Sequence, residues 1–140
     1  MYDVIIIGSG PAGISAALYT QRGGLKTLII SKGSSSLEKA HKIQNYYGLV
    51  EEISGKELYK IGIEQAKRIA VEIIEDEVVQ ISNEKNFKVT TINAEYDATN
   101  VILATGINRK ESTIKGIKEY EGKGISYCAV CDAFFFRGKD

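Results

Sequence analysis

Both cysteines of the chain stand within five residues, in Cys128-Ala129-Val130-Cys131-Asp132. Two thiols at this spacing suit a redox disulfide at the start of a helical turn, where the dipole lowers a thiol pKa and makes the thiolate available for exchange. Asp132 opposes thiolate formation if ionised, so its useful role is to give a proton to the thiol or take one from it during turnover. Zinc needs two more ligands, and His41 is the one histidine in the chain; no metal site is expected. The plain alternative for the pair is two small buried hydrophobes.

The other residues able to do chemistry are glycines. In VIIIGSGPAG, Val4 to Gly13, Gly8 permits a tight turn out of a strand and Gly10 lets backbone approach a pyrophosphate. Gly13 lets the following helix pack close to that strand. The pyrophosphate would rest at the helix N-terminus, on free N–H groups and the positive end of the dipole. A purely structural turn is the alternative. An acidic residue about 20 positions further on ordinarily holds the ribose hydroxyls, but Ile30-Ser31-Lys32 stands there. Ser31 can hydrogen-bond a ribose, whereas Lys32 can pair with a 2′-phosphate and points to NADP. On these residues alone a nicotinamide and a flavin dinucleotide are both open. A second signal is NVILATG, where Ala104-Thr105-Gly106 closes an apolar strand. Ligand crevices lie at such carboxyl ends, although strand ends commonly carry glycine for turns alone.

The elements that must position these residues follow from hydrophobic period. Met1 to Ile7 reads as a strand, and Gly10-Pro11 opens a helix whose Ile14, Ala17, Leu18 and Gln21 fall at helical spacing. Gly23-Gly24 stops it, and Lys26 to Ile30 adds a second strand, completing a βαβ unit of about 30 residues. Ser54 and Glu57 have the form of a capping box; Leu58, Ile61, Gly62, Ala66 and Ile69 mark the inner face of the helix they start. From Val71 the period changes to short strands: VEII, EVVQIS, FKVTTI and then YDATNVILATG. These predict a return to the parallel sheet, a small antiparallel β-meander, and the sheet again. The expected fold class is α/β, an FAD/NAD(P)-binding Rossmann-like three-layer fold with a parallel sheet plus that meander. Gly116, Gly122 and Gly124 suggest a surface connection to the cysteines.

Composition narrows the function classes. A chain of 140 residues at 44% hydrophobic content can bury a core, and one globular domain is the default. Lys plus Arg number 18 and Asp plus Glu 18, so no basic surplus exists to neutralise nucleic acid. The first apolar run, Val4 to Ile7, is far short of the roughly 18 residues a membrane span needs, and the start lacks the basic segment of a signal peptide. A cytoplasmic protein is expected, where paired thiols are more often catalytic than structural.

In this order, the glycine fingerprint, the ATG strand end and CAVCD resemble the N-terminal portion of bacterial-type, low-molecular-weight thioredoxin reductases, in the two-dinucleotide-domain flavoprotein superfamily. The resemblance covers all 140 residues and is most specific over YEGKGISYCAVCDAFFFRGKD. It implies that residues 1–115 are the N-terminal part of a discontinuous FAD domain. Residues 116–140 are then the crossover and the start of an inserted NADPH domain, so the chain is a fragment of a longer, homodimeric parent. The implied FAD contacts are Gly8, Ser9, Gly10, Pro11, Ala12, Gly13, Ala104, Thr105 and Gly106, with Asn45 on the flavin side and Val78 as a backbone contact to adenine. Cys128, Cys131 and Asp132 take the redox role. Because family members often have a small polar residue at the place of Ser31, Lys32 no longer argues for NADP. The NADPH site of the parent lies outside this chain, and the implied partner is thioredoxin or a similar protein disulfide.

Three departures stand out. The family commonly carries Gly-Gly-Gln after the second strand, and GSSSLEKAHKIQNYYG contains no such triplet. Tyr47 replaces a proline, and Ala133 replaces a glycine. They bear on the flavin-ring contacts and on the electron donor, which is open between NADPH and ferredoxin or another flavin. Two other functions compete: an NADP-binding dehydrogenase without flavin, and a non-catalytic dinucleotide-binding module with a regulatory thiol pair.

Overall fold

The computed structural model describes residues 1–107, 113–121, 123–126 and 133–138. The chain divides into two compact units, Met1–Ile107 and Asn108–Asp140. The first holds β1 (Tyr2–Ile7), α1 (Pro11–Arg22), β2 (Thr27–Ser31), α2 (Gly55–Arg68), β3 (Glu72–Glu75), β4 (Val78–Asn83), β5 (Phe87–Thr91) and β6 (Glu95–Leu103). In the second, the described residues include a short helix α3 (Ile117–Tyr120) and a 3-10 turn, Ala133–Phe136.

The strands form one six-stranded sheet in the order β3-β2-β1-β6-β5-β4. Parallel pairing joins β3, β2, β1 and β6, while β4, β5 and β6 pair antiparallel. The unbroken apolar runs of β1 and β2 explain their central place, because strands buried on both faces need no alternation. Val4, Ile6 and Ile29 face Ile14 and Ala17 of α1 and Ala66 of α2. Ile5, Ile7, Leu28 and Ile30 face the opposite way, packing with Val89, Ala98, Val78 and Tyr96 of the antiparallel strands. Helices, sheet and hairpin thus make three layers, and each fully buried Ile or Leu contributes about 1.5–3 kcal/mol.

The meander and the sheet share a strand. The first part of β6 pairs with β5 through Glu95 to Ala98, and its later part pairs with β1 through Ala98 to Leu103. Carrying the chain in this way brings Ala104 to the carboxyl end of β1, where its N–H donates to the Ile7 carbonyl at 2.9 Å.

Helix α2 differs from its expected face at one position. Ala66 is buried and Ile63 and Ile69 pack on the core with it, but Ile61 is exposed. At 100° per residue Ile61 turns away from the sheet and lines a groove with Ile14, Leu18, Tyr46, Leu49 and Leu58. Ser54 caps the helix as its sequence suggests, accepting from Glu57 N–H at 3.2 Å. A complete capping box forms earlier, at Ser35 and Glu38, ahead of a 3-10 turn, Ser36–Lys39.

The other end of α2 carries strain. Ala70 N–H donates to Lys67 O and Val71 N–H to Ala66 O, the pair of bonds that closes a helix through a left-handed residue. That residue is Ala70, at φ 63°, where a Cβ is unfavourable. Ala70→Gly is therefore expected to stabilise the domain by about 0.5–1 kcal/mol after the entropy that glycine adds to the unfolded chain, read as a higher urea midpoint.

Candidate functional site

The glycine loop leaves the carboxyl end of β1 and turns directly into α1. Gly8 N–H donates to Ile30 O at 2.8 Å, and its φ of +109° suits glycine. The three glycines have different surroundings. A Cβ on Gly8 would lie 2.2 Å from Ala104 O, and one on Gly13 would lie 1.9 Å from Gly8 O. A Cβ on Gly10 would meet nothing nearer than Ser35 Oγ at 3.4 Å. The outer glycines are thus required by backbone packed on backbone, whereas the middle one has space for a side chain.

Gly10 is the N-cap of α1, its backbone extended, and no side chain caps the helix. Pro11 has no N–H, so the first-turn donors of this helix are Ala12 and Gly13, which lack intrahelical acceptors. No acidic residue stands in that turn. The positive end of a 12-residue helix therefore faces the carboxyl end of the sheet with free donors, an arrangement suited to a phosphate anion.

Ser9 points the other way. It is 2% exposed, and its hydroxyl shares hydrogen bonds of 2.7 Å with both Ser31 Oγ and Tyr59 Oη. Ser31 Oγ also accepts Gly33 N–H at 3.3 Å, so the Ser31 hydroxyl is engaged inside the protein. Lys32 is held by Glu77, Nζ to Oε1 at 2.5 Å. Beyond it, the acid absent from the end of β2 has a counterpart on the next strand. Glu75 pairs in register with Ser31, and its carboxyl carbon lies 2.5 Å from where a Cβ on Gly33 would be. Asp76 adds another negative charge, its carboxyl held below the ordinary range by hydrogen bonding from Thr91 and from the Glu77 and Asn93 N–H groups. A 2′-phosphate here would meet more carboxylate than ammonium.

The structure brings Gly8, Ser9, Gly10, Pro11, Ala12, Gly13, Ser31 and Ala104 together at one end of the sheet. Ala104 Cβ lies 3.4 Å from the Cβ position of Gly13, and Gly106 turns at φ +70°. Thr105 and Gly106 are exposed. Asn45 lies exposed on the connection bridged by Ile43 and Ile53, and Val78 begins β4, half-buried. Cys128, Cys131 and Asp132 lie outside the described residues. Three residues beside the loop or the end of β2 were not evident from the glycine motif: Tyr59, Glu75 and Ser35. Of these, Ser35 carried a signal, because Ser35-Ser36-Leu37-Glu38 has capping-box form.

A strand, a glycine loop open at its middle position and a helix aimed at the carboxyl end of a parallel sheet define a dinucleotide-binding α/β domain of the Rossmann-like class. The family model for pyridine nucleotide-disulphide oxidoreductase matches residues 2–140, and the chain belongs to that family. It is 42% identical over 143 residues to the thioredoxin reductase of Bacillus subtilis (strain 168), covering 100% of this chain and 45% of that protein. Against the thioredoxin reductase of Aquifex aeolicus (strain VF5) the identity is 43% over 141 residues, covering 98% of this chain and 44% of the relative. The crystal structure of thioredoxin reductase from Streptococcus pyogenes MGAS5005 superposes with a TM-score of 0.90 at 42% identity, over 98% of this chain and 45% of that one. The chain therefore spans under half the length of these relatives.

Proposed function

We propose that this chain is the N-terminal part of a flavin-dependent disulfide reductase of the thioredoxin reductase type, and that its glycine loop holds FAD. The observation that carries this reading is the open position at Gly10 in front of the uncapped α1 N-terminus. The N–H groups of Ala12 and Gly13 take the pyrophosphate oxygens, and Gly10 leaves room for them. Ala104, Thr105 and Gly106 border the crevice, with Asn45 and Val78 as outer contacts. The carboxylates of Glu75 and Asp76, and the pairing of Lys32 with Glu77, favour a ribose without a 2′-phosphate at this end. FAD over NADP follows.

When bound, FAD supplies a two-electron couple. The Cys128–Cys131 disulfide takes up two electrons and two protons, its S–S bond breaking to give two thiols, with Asp132 in the role of proton donor or acceptor. One cysteine thiolate then attacks a protein disulfide, forming a mixed disulfide and expelling the substrate's other sulfur, which is protonated. The second cysteine attacks that mixed bond, releasing a reduced substrate such as thioredoxin and restoring the Cys128–Cys131 disulfide. In the whole protein the electrons come from NADPH bound outside this chain, and the protein is a cytoplasmic homodimer.

Titration of the chain with FAD, followed by flavin fluorescence, is expected to saturate, with ADP competing about tenfold better than its 2′-phosphate because of the carboxylates. Saturable NADPH binding without FAD affinity overturns this reading in favour of a flavin-free dehydrogenase. Anaerobic photoreduction of bound flavin is then expected to expose Cys128 and Cys131 to alkylation. Thiol labelling indifferent to the flavin makes the pair a regulatory switch instead.

A further inference from the structure

We infer that Tyr59 of α2 is a positioning residue for the dinucleotide loop, acting through the hydroxyl of Ser9; its bearing on nucleotide affinity rests on the FAD reading above. Between Gly8 and Gly13, Ser9 has the one polar side chain, and that side chain is directed inward at 2% exposure. Little of it is open to a ligand lying outside the loop. Its hydroxyl instead joins two elements, the end of β2 through Ser31 Oγ and the helix α2 through Tyr59 Oη, each at 2.7 Å.

The chain of hydroxyls is closed at the β2 side, where Gly33 N–H donates to Ser31 Oγ. A Ser9 hydroxyl has one proton and two acceptor lone pairs. With Ser31 donating to it, it can donate to Tyr59; with Tyr59 donating, it can donate to Ser31. Both arrangements satisfy the buried oxygen, and both need the phenol oxygen of Tyr59. Without that oxygen, Ser9 keeps a single fixed partner and its rotation is freer.

Apolar contact cannot replace this tie. α2 meets α1 where Gly62 faces Ile14, at 3.6 Å from a built Cβ, and such packing sets a separation but no direction. A hydrogen bond is directional, and this one ends on the residue immediately before Gly10. Tyr59 is only half-buried and lines the groove beside α1, so its ring is not a core element whose loss would unfold the sheet. Its hydroxyl therefore orients the segment whose amides would face a phosphate, from behind and without touching the ligand.

Tyr59→Phe keeps the ring and removes the oxygen. Amide hydrogen exchange at Gly8 and Ile14, whose N–H groups donate to Ile30 O and Gly10 O at the two ends of the loop, is expected to accelerate about tenfold, the scale of one lost hydrogen bond, with β1 and β2 unchanged. FAD affinity is expected to fall by about the same factor, Ser9→Ala to do likewise, and the double variant to lose no more than either single one. The urea midpoint should fall by no more than the loss of that one hydrogen bond allows. Unchanged exchange at Gly8 and Ile14 overturns the assignment, as does acceleration spread evenly over the whole domain. If the wild type takes up no FAD, the proposed function fails, while the exchange measurement still decides the role of Tyr59.

Discussion

Gly13→Ala is expected to destabilise the domain by about 3 kcal/mol or more, although alanine is the better helix former by about 1 kcal/mol. The added methyl would sit 1.9 Å from Gly8 O and 3.0 Å from Gly8 C, well inside contact distance. Neither partner can move cheaply. Gly8 is tied to Ile30 O and lies against Ala104 O, and α1 is seated on the sheet by Ile14 and Ala17, which are 6% and 0% exposed. Relief requires lifting the first turn of α1 off β1, which opens the apolar layer beneath it. Against a total stability of roughly 5–15 kcal/mol for a domain of this kind, the loss is a large fraction. Urea unfolding followed by circular dichroism measures it. A variant as stable as the wild type would mean that α1 does not pack this closely on the strand, and the steric account of the third glycine would fail.

How much of this was legible beforehand differs from residue to residue. β1, α1 and β2 were readable because a buried parallel strand, a proline at a helix start and a closing glycine pair each leave a local mark. Ser54 likewise announced α2, but the end of that helix did not announce itself, since Ala70 occupies a left-handed position that usually goes to glycine. The spacing that puts Ile61 on the inner face of α2 is correct for a helix, yet Ile61 stands one residue round from the face that α2 buries. Period alone does not say which of two adjoining stripes meets the sheet.

At the site, the glycines and the strand end at Ala104 were readable, while the partners that hold them were not. Tyr59 lies 50 positions from Ser9, and Glu75 reaches Gly33 through strand pairing. Such contacts depend on tertiary geometry and leave no trace in local spacing. The question raised by Ser31 and Lys32 shows the consequence. In the sequence they appear as a ribose ligand and a phosphate ligand; in the fold the first faces inward to Ser9 and the second is paired with Glu77. The charge at this end of the sheet is set by β3 and the turn after it.

Gly10→Val is expected to show the opposite signature to Gly13→Ala: a fold close to the wild type and a loss of FAD affinity of at least about 100-fold. The backbone at Gly10, φ −66° and ψ 179°, is open to any residue, and the nearest atom to an added Cβ is Ser35 Oγ at 3.4 Å. The cost to the protein is that of changing an N-cap residue, about 1 kcal/mol or less. The cost to a ligand is larger. Two branched methyl groups above the α1 N-terminus occupy the volume a pyrophosphate needs to reach Ala12 and Gly13 N–H, and each charge-assisted hydrogen bond forgone is worth about 1.5–3 kcal/mol. Circular dichroism and the urea midpoint report the first effect; FAD titration reports the second. Undiminished FAD binding by a folded Gly10→Val protein would remove the nucleotide from this loop. Loss of fold together with binding would mean that Gly10, like its neighbours at 8 and 13, is there for packing, and that the open space in front of α1 is not a site.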